Sequence, residues 1–345
     1  MRKSENKSID NIKLKFLVIR ALFISYLLLN SGCNGIFQDS NAKDSNTLNP
    51  DSPKNIANLI IQSALSDPDP QVRSQAIEVV ASTGRIMLMP KIQQLLEDEY
   101  APVRFAAVLA IGDMEYSIAK DTVAKLLRDT DASVIAAAAY TMAKLGSTEY
   151  NRILYSAINS QDQTVRANAA LLLGKSGDRN AIKPLYWAMQ DKSSEDKVVY
   201  QAAESLAMLG DLAIYPKLWS MLISAYADVR VVGVRAMGVF GTRQAKEALA
   251  TMLEDNILEV RLAAAGQLGA MGDTSGESVV LSVFEKDRTI SLDTETNQRV
   301  YVLTALAIGQ IKTPKLTKFL PQLLKNESKF VRIAAAKAVF QSGIE

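Results

Sequence analysis

The chain has 345 residues, with 39 Lys and Arg against 37 Asp and Glu, a single Cys and no His. The lack of His excludes Ser–His triads, imidazole acid–base chemistry and most metal sites. A charge balance this close to zero gives no electrostatic case for nucleic acid as a partner.

Residues 1–32 read as an export signal. Six basic side chains and two acids fall in the first 20 residues, ahead of the nine-residue apolar core ALFISYLLL. That core is too short to cross a bilayer, which takes about 20 helical residues. NSGC follows, ending in Cys33, the only cysteine. It resembles a bacterial lipobox, although Asn30 stands where Leu is usual. The resemblance implies that Cys33 is lipidated and becomes the new N-terminus, anchoring the protein in the cell envelope. The other reading is an ordinary cleaved signal. Asn34 is not the Asp that commonly retains lipoproteins in the inner membrane, which favours an outer-membrane address. Removing residues 1–32 takes away six basic and two acidic residues and leaves a net charge of about −2. Cys33 and the polar stretch through residue 54 are expected to form a flexible tether.

Residues 55–345 repeat. Val72, Val103, Val134, Val165, Val198, Val229, Val260, Val300 and Val331 recur at spacings of 31, 31, 31, 33, 31, 31, 40 and 31. A period in this range marks a repeat architecture. With the Val as position zero, offsets 0, +4, +8 and +11 form one apolar helical stripe. Offset +12 is Gly in seven copies (Gly84, Gly146, Gly177, Gly210, Gly241, Gly272 and Gly343), which predicts a helix ending there. Turns such as SDPDPQ and RDTDAS precede the Val and predict N-caps. A second amphipathic run precedes each turn, with Pro90, Pro184 and Pro216 early in theirs. No segment alternates with period two, so the chain is expected to be all-α. Gly174, Gly238, Gly269 and Gly309 all sit at +9. Their recurrence predicts close helix–helix approach, because a mid-helix Gly otherwise costs roughly 1 kcal/mol. GKS at 174–176 imitates a phosphate-binding loop, but it ends a helix where that loop must open one.

The pattern D-x-x-x-x-VR-x-x-A-A-x-x-L-G-x-x-G, preceded by A-I-x-x-L-x-x-x-L-x-D, resembles the short HEAT-like repeat, the type also found in phycobilisome lyases. The likeness covers about 290 residues and implies an α-solenoid of nine helix pairs wound into a right-handed superhelix. Lys312 and Glu115 depart from the pattern at the capping Gly. The resemblance also assigns the residue after the Val to a structural ladder of Arg paired with turn Asp: Arg73, Arg104, Arg166, Arg230, Arg261 and Arg332. Ile135, Val199 and Tyr301 replace it in the other copies. Asp67, Asp98, Asp129 and Asp255 stand five residues before their Val. A basic stripe for nucleic acid is the competing reading, disfavoured by the adjacent acids.

Two functions remain. One is a non-enzymatic scaffold, tethered by lipid and binding protein partners along its concave face, with no cofactor, metal or nucleic acid. The other is an enzyme or enzyme subunit related to the bilin lyases that share the repeat. Carboxylate catalysis is open in principle, but the acids cluster in turns where caps are expected. In HEAT-like solenoids the second helices line the concave side, which would place offsets +2 and +6 in the groove. The residues there are Phe105, Leu109, Tyr140, Leu171, Tyr200, Glu204, Val231, Arg235, Leu262, Val302 and Leu306, with polar Ser74, Glu78 and Lys337 in the end copies. An exposed apolar track marks an interaction site. The alternative is that tight curvature buries these side chains between neighbouring helices. The insertion in the eighth copy, DRTISLDTETNQR, contains Asp293 and Glu295 without calcium-loop spacing and is expected to be a surface loop.

Overall fold

A computed structural model describes residues 51–285 and 293–344, and those residues contain helices, turns and no strand. The proposed signal, Cys33 and most of the tether lie outside them. The solenoid begins at Pro53, where Ser52 caps the first helix by accepting from the Asn55 N–H.

Each copy is an outer helix, a short turn and a longer inner helix. The inner helices are α1 (Pro70–Ser82), α2 (Ala101–Asp113), α3 (Ala132–Lys144), α4 (Gln163–Ser176), α5 (Asp196–Met208), α6 (Ala227–Phe240), α7 (Leu258–Ala270), α8 (Thr294–Ile311) and α9 (Lys329–Ser342). Turn acids start several of them: Asp69, Asp131 and Asp162 each accept backbone N–H groups of the first turn. The capping glycines all stop their helices in the left-handed conformation, with φ between 65° and 94°. Glu115 (φ 48°) and Lys312 (φ 61°) take the same conformation where the repeat has lost its Gly.

The outer helices are shorter, and most open or close with a 3-10 turn. Met89–Gln94, for example, lies between the turns Ile86–Leu88 and Leu95–Glu97. Pro90 and Pro216 occupy the second position of their helices, where no backbone donor is needed. Part of the insertion is helical. Asp293 caps α8 through the Thr296 N–H, and Glu295 pairs with Arg299, so α8 is 18 residues long where most inner helices have 13 or 14. Residues 286–292 lie outside the described residues.

Successive inner helices run parallel and pack one on the next. At Gly174, Gly238 and Gly309, offset +9 of one copy meets offset +7 of the following copy, whereas Gly269 meets Ile311 at +11. A Cβ on Gly174 would stand 2.7 Å from Ser205 Cβ, and one on Gly309 would stand 2.7 Å from Ala338 Cα. A fifth glycine at +9, Gly112, meets Thr141 in the same way.

The all-α solenoid implied by the resemblance is present, and its two ends meet. Helix α9 of the last copy packs against the first outer helix, Pro53–Ala64, and against α1. Lys337 of α9 pairs with Glu78 of α1 at 2.8 Å, Lys329 pairs with Asp67 at 2.7 Å, and the Arg85 guanidinium lies 3.6 Å from the centre of the Phe340 ring. The nine copies therefore form a closed ring, with inner helices around the axis and outer helices on the rim.

Candidate functional site

The residues expected to line an open groove do not line one. Phe105, Leu109, Tyr140, Leu171, Glu204, Val231, Arg235, Leu262 and Val302 are all buried, and only Tyr200 and Leu306 are half-buried. Tyr140 is 2% exposed, and its hydroxyl donates to Asp113 at 3.0 Å. Burial, with Asp113 adding to it, raises the phenol pKa far above its ordinary value, so Tyr140 stays a protonated donor. The groove reading fails for a geometric reason. Small residues at +9 draw the parallel helices together and ring closure supplies the last neighbour, so the inward stripe packs against other inward stripes.

Charge inside this belt is paired. Glu204, fully buried, accepts two bonds from Arg235, 2.6 Å from Nε and 2.8 Å from Nη2. Lys337 is also fully buried, and it donates to Glu78. These pairs join copies 5 and 6 and copies 9 and 1, so they lie on roughly opposite sides of the ring. Burial pushes the Glu78 carboxyl up, against the pull of the Lys337 ammonium. Desolvation makes such ions costly unless they are paired.

The Arg residues build rungs between copies. Arg73 donates to both oxygens of Asp98, Arg104 to both of Asp129 and Arg230 to both of Asp255, while Arg166 reaches one oxygen of Asp191. Each Arg of these four therefore serves the turn Asp of the next copy, and Asp191 escaped the sequence reading. The Nη1 groups of Arg73, Arg104 and Arg230 also donate to carbonyls of their own turns, as do those of Arg261 and Arg332. Lys329, not Arg332, supplies the cation that meets Asp67 across the seam. GKS sits at the end of α4: Gly177 caps it, the Ser176 hydroxyl donates to the Leu173 carbonyl, and Lys175 pairs with Asp113 at 3.0 Å.

Exposed apolar side chains lie elsewhere. On adjacent outer helices, Trp187 (60% exposed) projects from Ile182–Gln190 and Trp219 from Tyr215–Leu222, followed by exposed Ile223 and Tyr226 in the turn to α6. Lys183 lies 4.8 Å from the Trp187 ring centre, and Tyr215 stacks on Trp219. The sequence reading passed over both tryptophans because it looked for the site on the inner helices.

A family model of HEAT repeats matches residues 57–144 and 151–230. No curated protein matches the chain. Among solved structures it is similar to human deoxyhypusine hydroxylase in complex with glycerol (18% identity, TM-score 0.37, covering 84% of this chain and 97% of that one). It is also similar to the CpcE–CpcF complex of phycocyanin lyase from Nostoc (18% identity, TM-score 0.32, covering 88% and 98%). Kap121p shares 13% identity at a TM-score of 0.32, covering 87% of this chain and 38% of its own. At these identities the likeness concerns the fold alone. Two of these structures are of proteins named as enzymes, a hydroxylase and a lyase, so the expectation of a non-enzymatic chain is withdrawn.

Proposed function

We propose that this chain, which carries HEAT repeats over residues 57–144 and 151–230, works in the bacterial cell envelope as a lipid-anchored scaffold that holds a protein partner on its outer wall. The observation that carries this reading is the group Trp187, Trp219, Ile223 and Tyr226, large side chains left exposed on the rim of copies 5 and 6. Aromatic residues tend to dominate interface energy, and exposed apolar patches mark interaction surfaces. The buried inner belt offers a partner nothing comparable. The lipid anchor rests on Cys33 and its flanks, and two or more acyl chains are what make such anchoring stable.

The test is a double substitution, Trp187→Ser with Trp219→Ser, in cells carrying an affinity-tagged full chain. The expected result is an unchanged melting temperature and loss of the proteins that co-purify with the wild type. Unchanged co-purification would refute the outer wall as the binding surface. The anchor is tested separately. Cys33→Ser is expected to move the protein out of the membrane fraction and to slow its gel mobility through loss of processing, and wild-type fractionation of that variant would refute lipidation.

A further inference from the structure

The two edges of the ring differ. All inner helices run parallel, so the 3-10 turns that begin the outer helices share one edge and the Asp-rich turns share the other. The second edge is mixed in charge, with exposed Glu97, Glu99 and Glu195 beside exposed Arg128, Lys192 and Lys325, and its exposed apolar side chains are Tyr100, Ile223 and Tyr226. The first presents apolar tips: Met87 is 86% exposed and Ile118 74%, with Ile86 and Leu212 also exposed. Charge at this edge is mixed: exposed Arg243, Lys312 and Lys315 share it with exposed Asp113, Glu115 and Glu149.

We propose that this edge rests on the membrane surface, with Ile86, Met87, Ile118 and Leu212 set among the lipid headgroups and upper acyl chains. The inference rests on the lipid-anchor reading and adds to it the face of the ring that meets the bilayer. The occupant follows from where the chain continues. Pro53, the first helical residue, lies at the apolar edge, and only residues 34–52 separate it from Cys33. Nineteen residues reach at most about 65 Å. A lipidated Cys33 therefore keeps the apolar edge close to the bilayer. An edge of long exposed aliphatic side chains suits the headgroup interface of a bilayer, and the edge of Asp-rich turns then faces away from it. This orientation leaves the outer wall of copies 5 and 6 upright and free for a protein.

The experiment uses the full lipoprotein in vesicles of phosphatidylethanolamine and phosphatidylglycerol. Lipidation consumes the Cys33 thiol, so Met87→Cys, Ile118→Cys and Tyr100→Cys each supply a single reactive site for an environment-sensitive fluorophore. Tyr100 sits at the opposite edge, that of the Asp-rich turns. The expected result is quenching of about twofold or more by acyl-chain-brominated lipid at positions 87 and 118, and none at position 100. Protein that floats with the vesicles but shows no quenching at 87 and 118, or equal quenching at 100, overturns the proposed edge and leaves the anchor intact. Protein that fails to float, with the fluorophore reacting at Cys33 in the wild type, overturns the anchor and this inference together.

Discussion

Lys312 and Glu115 show how far a single position is set by its place in the repeat. Both hold a left-handed backbone that seven sister copies assign to Gly. An L side chain there costs about 1–2 kcal/mol. Lys312→Gly is therefore expected to stabilise the protein by about 1 kcal/mol, after allowance for the greater freedom of Gly in the unfolded chain. Chemical denaturation measures it, and a destabilised variant would show that the Lys312 side chain contributes more than its backbone strain costs. The sequence showed both residues as departures from a pattern, but it could not show whether the helix would end differently or the residue would be strained. The tight neighbour geometry decides that. The helix must stop at the same offset in every copy, because the next turn must reach the next rung.

At the scale of helices, periodicity in the sequence located the inner helices, their caps and the close approach at offset +9. It was less informative about their second apolar stripe. A helix apolar on two sides is a buried helix, but the spacing of Phe105, Leu109 and Tyr140 says nothing about what lies opposite them. The ladder was only partly legible, because a turn Asp 25 residues away in the next copy competes with one six residues away in its own. The contrast between rungs gives a prediction. Arg73 and Asp98 are both nearly inaccessible to solvent, whereas the side chain of Asp191, the partner of Arg166, is 44% exposed. Arg73→Ala leaves Asp98 buried without its guanidinium and is expected to cost about 2 kcal/mol. Arg166→Ala should cost a fraction of that, since water can replace the lost partner of Asp191. Equal losses in a denaturation series would mean that the ladder works through carbonyl capping of its own turns and not through the carboxylates.

The whole molecule depends on a contact that no local pattern encodes. Lys337 and Glu78 lie 259 positions apart in the chain, and each was read from sequence only as a polar departure in an end copy. Lys337→Met leaves the Glu78 carboxyl buried without its cation, at an expected cost of about 3 kcal/mol near neutral pH. The sign of the pH dependence follows from burial, which raises the folded pKa of Glu78 above its ordinary value of 4.5. A carboxyl raised on folding favours the folded state while protonated and loses that benefit as pH climbs through its folded pKa. The variant's deficit should accordingly shrink as pH falls towards 4.5, and a deficit independent of pH would show that Glu78 is not ionised there in the wild type. Glu78→Met combined with Lys337→Met should recover much of the loss, because an apolar pair of similar volume needs no desolvated charge.

A linear stack of copies can lengthen by duplication, since each new unit finds the same neighbours as the last and only the end moves outward. A hoop has no such freedom. Nine copies complete the circle at about 40° each, and a tenth would displace Lys337 from Glu78 and Lys329 from Asp67 by that angle. Copy number is thus a property that selection cannot adjust one unit at a time. Gaining or losing a copy would require every junction to change its angle slightly, or the seam to be given up and the inner belt opened to solvent.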